Sequence, residues 1–220
     1  MPEEVIFDMD GVIVDTEPGY FYAVNDYLSI FGISISQEFN RKLIGVSYSH
    51  IWELLNKEYH LNSLTMETFI AGMERCRKKR IAAEGCIPVP GTLELIEELH
   101  QSGILLAIAS SSPGAEIGAV MDAVNIRRYI NAIVSAGDEC EHGKPNPEVF
   151  LKAACKLCVK PEACLVIEDA APGILAAKRA GMHVIGYQSS FGGQNLRNAD
   201  IVVSSMTDIT PALCRKLFIP

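Results

Sequence analysis

Residues 5–12 read Val5-Ile6-Phe7-Asp8-Met9-Asp10-Gly11-Val12. A short apolar run with two β-branched members reads as a strand buried on both faces, and it stops at an acid. Alternation along a strand carries Asp8 and Asp10 to the same side, so two carboxylates leave its C-terminal edge together. Gly11 permits a tight departure of the backbone. Two acids this close resist joint ionisation unless a cation screens them, and a hard, oxygen-seeking ion such as Mg²⁺ suits best. The alternative use of an Asp at a strand end is an Asx-type turn.

Outward from this stretch, four more apolar runs have strand character: residues 104–110, 132–135, 164–169 and 183–187. Helical patterns separate most of them. Residues 92–102 place Leu93, Ile96 and Leu99 on one face, and residues 172–180 open on a proline and stop before Gly181. Strands that are apolar along their length and alternate with helices indicate an α/β protein, a parallel sheet covered on both faces. Residues 201–203 add a candidate edge strand. The stretch from Thr16 to Ile87 interrupts the alternation with helical patterns alone, which predicts a small helical domain inserted into the α/β domain. Residues 1–15 and 88–220 then form the core domain and 16–87 the insert, with Glu17-Pro18-Gly19 and residues 87–91 as hinges. The basic run 75–80 reads as a solvated helix face or a substrate-facing patch.

Three more features lie at or just beyond strand ends, the edge where open parallel sheets bind ligands. Ala109-Ser110-Ser111-Ser112 offers hydroxyls and backbone N–H groups suited to phosphate oxygens, although such a run also serves as a plain loop. Gly143-Lys144-Pro145-Asn146-Pro147 puts one compact positive charge on a loop stiffened by prolines; the alternative is a solvated surface lysine. Glu168-Asp169 closes an apolar strand with two acids, which avoid burial unless paired or bound to metal. Asp169 could instead cap the following helix.

The 220-residue chain is 49% hydrophobic and 21% charged, an ordinary globular composition. Its net charge of −8 argues against a nucleic-acid partner, which needs a basic face. No segment approaches the roughly 18 consecutive apolar residues of a membrane span. Met1 leads into the first strand without a basic region or cleavage site, so no leader is expected. Seven scattered cysteines suggest free thiols in a reducing cytoplasm. Cys155 and Cys158 form a C-x-x-C without a second ligand pair, and are expected to be buried structural thiols in an amphipathic helix.

Taken in order, Asp8-x-Asp10-Gly-Val, Ser110, Lys144-Pro-x-Pro and Glu168-Asp169 resemble the four motifs of the haloacid dehalogenase superfamily across essentially the whole chain. The subgroup most similar is the β-phosphoglucomutase-like phosphatases, whose Asp-Gly-Val-x-x-Asp-Thr-Glu pattern is matched by Asp10 to Glu17. That resemblance implies a Rossmann-like sheet of order 3-2-1-4-5 with an inserted helical cap, a monomer, and a small phosphorylated metabolite as substrate. It implies Asp8 as a nucleophile that forms an aspartyl-phosphate, Asp10 as acid/base, and Ser110, Ser111 and Lys144 on the phosphoryl oxygens. The Mg²⁺ ligands would be Asp8, Asp10 through its carbonyl, Glu168 and Asp169. Haloacid dehalogenases lack the second Asp, which argues against dehalogenation. Where the mutases carry a cap histidine and a sugar-phosphate-gripping arginine, this chain has Tyr20 and Tyr48. The resemblance therefore implies phosphatase over phosphosugar mutase, with Glu17, Tyr20 and Tyr48 as candidate substrate contacts.

Overall fold

The computed structural model describes residues 2–15, 17–43, 48–189 and 194–218, without the side chains of Glu17, Pro18, Tyr48, Ser49, Ala82 and Glu84. Six strands, β1 (Glu4–Phe7), β2 (Leu105–Ser110), β3 (Ala132–Ser135), β4 (Cys164–Glu168), β5 (His183–Tyr187) and β6 (Ile201–Val203), form one sheet of order β3-β2-β1-β4-β5-β6. Every pairing is parallel; Phe7 lies opposite Ile108 on one side and Ile167 on the other. The expected order holds, and residues 201–203 extend it as a sixth strand.

The helices are α1 (Glu17–Ser29), α2 (Gln37–Asn40), α3 (Tyr48–Tyr59), α4 (Met66–Glu84), α5 (Thr92–Gln101), α6 (Gly114–Ala123), α7 (Ala136–Glu139), α8 (Glu148–Lys156), α9 (Ala171–Arg179) and α10 (Pro211–Lys216). The strand period of two sorts the core into two layers. Val5, Phe7, Leu106, Ile108, Leu165 and Ile167 join Leu95 and Ile96 of α5, Ile117 of α6 and Cys214 of α10. Ile6, Ala107, Ala109 and Val166 join Val149 and Phe150 of α8 and Ile174 of α9. Each layer buries the apolar stripe of its helices, the main stabilising contribution in a fold of this kind.

The chain divides into two compact units, one of Met1–Asp15, Cys86–Ser190 and Gln194–Pro220, the other built on Thr16–Gly85. The second has its own core of Ala23, Val24, Leu28, Leu55, Phe69 and Met73. Glu17-Pro18-Gly19 lies in the first turn of α1 rather than in an irregular hinge, because proline is tolerated where helix N–H groups lack partners anyway. Residues 86–91 are held in part by backbone pairing: Val14 bridges Pro88, and the Asp15 amide donates to the Ile87 carbonyl at 2.8 Å. The basic run on α4 is split by helical spacing. Arg75, Lys78 and Lys79 are exposed. Arg77 is 7% exposed and pairs with Glu74, and Arg80 pairs with Asp26.

The C-x-x-C expectation is corrected: Cys155 and Cys158 are both exposed. α8 turns Val149, Phe150, Ala153 and Ala154 to the core, which leaves Cys155 on the opposite face. Cys158 follows the helix end at φ 57°, a left-handed position that directs its side chain away from the packed stripe.

Glu4 opens β1 and is fully buried, with Oε2 accepting from the Cys164 thiol at 3.3 Å and Oε1 without a hydrogen-bond partner. Burial pushes its carboxyl up to about 7. Below the unfolded-state value near 4.5 both states hold the proton. As pH rises from there to about 7, only the folded state keeps it, so its stabilising contribution declines and is lost above that range. Glu4→Gln removes the titration. The stability gap between wild type and variant, read by urea unfolding from pH 5 to 8, is expected to move against the wild type by on the order of 2 kcal/mol. A gap independent of pH would show Glu4 ionised throughout.

Candidate active site

The site sits at the C-terminal ends of β1, β2 and β4, where the strands release their chains together. β1 ends at Phe7, one residue before Asp8. The Asp8 amide still donates to the Ile167 carbonyl at 3.0 Å, which fixes its backbone to β4. The chain then turns, with the Ile13 and Val14 amides donating to the Met9 carbonyl and that of Gly11 to the Val14 carbonyl. The two aspartates therefore diverge instead of continuing a strand alternation. Asp8 enters an acidic cluster, whereas Asp10 accepts a hydrogen bond from Ser112 Oγ at 3.1 Å.

Asp8, Glu168 and Asp169 each offer a carboxylate oxygen within 4.8 Å of the others. Asp8 is 7% exposed and Glu168 1%. The Lys144 side chain is only 8% exposed, contrary to a surface lysine, and its Nζ donates to Asp8 Oδ1 at 2.5 Å, Glu168 Oε1 at 2.8 Å and the Ala109 carbonyl at 3.3 Å. The ammonium also lies 4.9 Å from the Phe150 ring centroid. Burial works to lower the lysine's pKa, but the Asp8 and Glu168 carboxylates outweigh it and hold the ammonium charged.

Three carboxylates face one ammonium, and the imbalance shows. Burial raises Glu168, against the pull of Lys144, with the Asp8 charge adding to the rise. Asp169 is pushed up to about 9 by burial, then by the Glu168 and Asp8 charges. A divalent cation among these oxygens would relieve that strain, and an all-oxygen, anion-rich set is what Mg²⁺ prefers. Asp10 does not share the cluster through its carboxylate. The helix-cap alternative for Asp169 falls, because α9 begins at an Ala170 cap without a side-chain bond, and Glu168 Oε2 takes the Ala170 amide at 2.7 Å.

Two glycines make room for these acids. Gly11 has φ 80°, and a Cβ there would stand 2.1 Å from Asp169 Oδ2. A Cβ on Gly173 would stand 1.5 Å from Glu168 Oε1. Gly11 was legible as a turn; Gly173 gave no signal, since only tertiary packing brings α9 against Glu168.

Ser110, 1% exposed, ends β2, and its Oγ accepts the Ser112 amide at 3.0 Å while its own hydroxyl proton stays available for donation. Ser111 is exposed. Ser112 was legible only as one of a run of hydroxyls suited to phosphate oxygens; its contact with Asp10 left no local signal. In the other unit, Tyr20 lies under Arg77, its ring centroid 5.5 Å from the guanidinium carbon. Trp52 packs 5.7 Å from Phe69 in that unit's core. The Glu17 and Tyr48 side chains lie outside the described residues.

A nucleophilic carboxylate beside an ammonium, a second carboxylate held apart from it, a strand-end hydroxyl and an acidic cation cradle together can carry phosphoryl transfer. The sequence model for haloacid dehalogenase-like hydrolases matches residues 5–187. A phosphorylated carbohydrates phosphatase of Thermotoga maritima is 34% identical, over 83% of this chain and 83% of its own. The β-phosphoglucomutase of Bacillus subtilis is 33% identical, over 94% of this chain and 91% of its own. The crystal structure of a β-phosphoglucomutase from Clostridium difficile superposes with a TM-score of 0.73 at 28% identity, covering 99% of this chain and 97% of that one. The chain belongs to the haloacid dehalogenase-like hydrolases. Within them it falls in the β-phosphoglucomutase-like subgroup, and it is an enzyme, a phosphoric monoester hydrolase.

Proposed function

We propose that this enzyme is a Mg²⁺-dependent phosphatase of a small phosphorylated carbohydrate, working through an aspartyl-phosphate on Asp8. The observation that carries the reading is the Asp8 carboxylate held 2.5 Å from the buried Lys144 ammonium inside the Glu168–Asp169 cluster. Asp8 attacks phosphorus in line with the ester oxygen, forming the Asp8 Oδ–P bond as the ester P–O bond breaks. Asp10 gives its proton to the departing alcohol, then takes one from the water that displaces Asp8 and releases inorganic phosphate. Lys144 and the Ser110 hydroxyl, with Ser111, bind the equatorial oxygens where negative charge spreads. Asp8, Asp169, the Asp10 carbonyl and Glu168, directly or through water, would hold the cation. When bound, it supplies positive charge that lets the anionic nucleophile meet an anionic ester.

Residues 16–87 are read as the cap that selects the substrate, with Glu17, Tyr20 and Tyr48 as its candidate contacts. A cytoplasmic, monomeric enzyme belongs to the same reading. Phosphosugar mutase chemistry is the second reading, favoured by the likeness to β-phosphoglucomutases and opposed by the tyrosines at positions 20 and 48.

The test is phosphate release from glucose 1-phosphate, glucose 6-phosphate, fructose 1-phosphate and p-nitrophenyl phosphate, with Mg²⁺ and with EDTA. Release from at least one sugar phosphate, lost in EDTA and restored by Mg²⁺, is expected. Release indifferent to EDTA would remove the cation from the reading. Interconversion of the two glucose phosphates faster than hydrolysis would favour the mutase.

A further inference from the structure

We infer that Ser112 is a positioning residue that aims the Asp10 carboxyl group at the leaving-group oxygen. The inference rests on the assignment of Asp10 as acid/base, and it gives a separate role to a serine that the sequence offered only as part of a phosphate-binding loop.

Ser112 is tied at three atoms. Its amide donates to Ser110 Oγ at 3.0 Å, its carbonyl accepts from Ser135 Oγ at 2.8 Å, and its own hydroxyl donates to Asp10 Oδ2 at 3.1 Å. Ser135 is itself fixed, 2% exposed at the end of β3, with its Oγ accepting the Asp138 amide at 3.1 Å. At the start of α6, just after this loop, the Gly114 amide donates to Asp138 Oδ2 at 2.7 Å. The ends of β2 and β3 therefore clamp the Ser112 backbone from both sides, and its hydroxyl is delivered to a fixed point beside Asp10. Asp10 itself rides on the turn after β1, beyond the ladder that locks Asp8. A side chain on such a turn loses orientational freedom when a rigid neighbour bonds one oxygen, and catalysis gains from that restriction.

Proton donation matters in proportion to how poor the leaving group is. An alkoxide needs the proton as the P–O bond breaks, whereas p-nitrophenolate leaves without it. A residue that orients the acid must show this leaving-group dependence; one that merely supports the fold slows both esters alike. The value of kcat/KM covers steps up to departure of the leaving group, so its ratio between a sugar phosphate and p-nitrophenyl phosphate isolates the effect.

Wild type, Ser112→Ala, Ser112→Thr and Asp10→Asn are compared with p-nitrophenyl phosphate and the best-hydrolysed sugar phosphate of the panel above. Ser112→Ala is expected to lower kcat/KM about tenfold for the sugar phosphate and less than about twofold for p-nitrophenyl phosphate. Ser112→Thr keeps the hydroxyl and is expected to recover most of the loss. Asp10→Asn is expected to shift the same ratio further. An unchanged ratio in Ser112→Ala beside a shifted one in Asp10→Asn overturns the inference alone. An unchanged ratio in both overturns the acid/base assignment and the inference with it. A ratio shifted in Ser112→Ala but not in Asp10→Asn also overturns it, since the hydroxyl would then act on another group.

Discussion

Asp8→Asn is expected to lower kcat by on the order of 10⁴-fold or more, because an amide cannot form the acyl-phosphate. Its effect on folding runs the other way from the usual cost of removing an ion-pair partner. Lys144 keeps Glu168 at 2.8 Å, and the neutral isostere at position 8 removes one of the charges that push Glu168 and Asp169 above the usual carboxylate range. In EDTA the melting temperature should therefore hold or rise. The stabilisation gained from added Mg²⁺ should shrink, since one of its ligands loses its charge. Differential scanning calorimetry with EDTA and then Mg²⁺, beside the steady-state assay, reads both. Turnover retained near wild type would remove Asp8 as nucleophile. A melting temperature several degrees lower in EDTA would mean that its pairing with Lys144 outweighs the repulsion.

Lys144→Met brings the opposite pairing of effects, a stability loss together with an activity loss. The side chain keeps its bulk against Phe150, but Asp8 and Glu168 lose the ammonium that bridges them. Breaking a buried pair from one side leaves uncompensated charge and typically costs about 3–5 kcal/mol. For a chain of this size that lowers the melting temperature on the order of 10 °C. Activity should fall by about 10³-fold, with the loss mainly in kcat, because the ammonium faces charge that grows in the transition state. Urea unfolding and a kcat–KM comparison test the two parts. Unchanged stability would show that the carboxylates take up protons or water freely, and a pure KM effect would reduce Lys144 to ground-state binding. Arginine is not expected to substitute, since its planar fork does not fit a point bridging two carboxylates and a carbonyl.

The strand pattern was legible because a parallel sheet covered on both faces needs apolar runs, and five of them stood out between helices. Boundaries moved by a residue: β1 begins at Glu4, and Asp8 and Asp169 lie past their strand ends. Glu4 went unread because a glutamate before an apolar run looks like a solvated strand end. Cys155 and Cys158 were read as buried on residue type, when the outer face of α8 and the left-handed turn after it decide their exposure.

The sequence by itself determined the strand–helix order, the interruption by a helical segment and the candidate residues for phosphoryl chemistry. Periodicity and composition encode these locally, and the ordered motifs tie them to a family. The tertiary structure alone decided which atoms meet. Lys144 and Asp8 are 136 positions apart, and their 2.5 Å contact exists only because β1, β2 and β4 end side by side. The same folding sends Asp8 and Asp10 to different partners, sets Gly173 against Glu168 and gives Ser112 its hold on Asp10. These are long-range contacts, fixed by sheet register and packing, and no local pattern of residues records them.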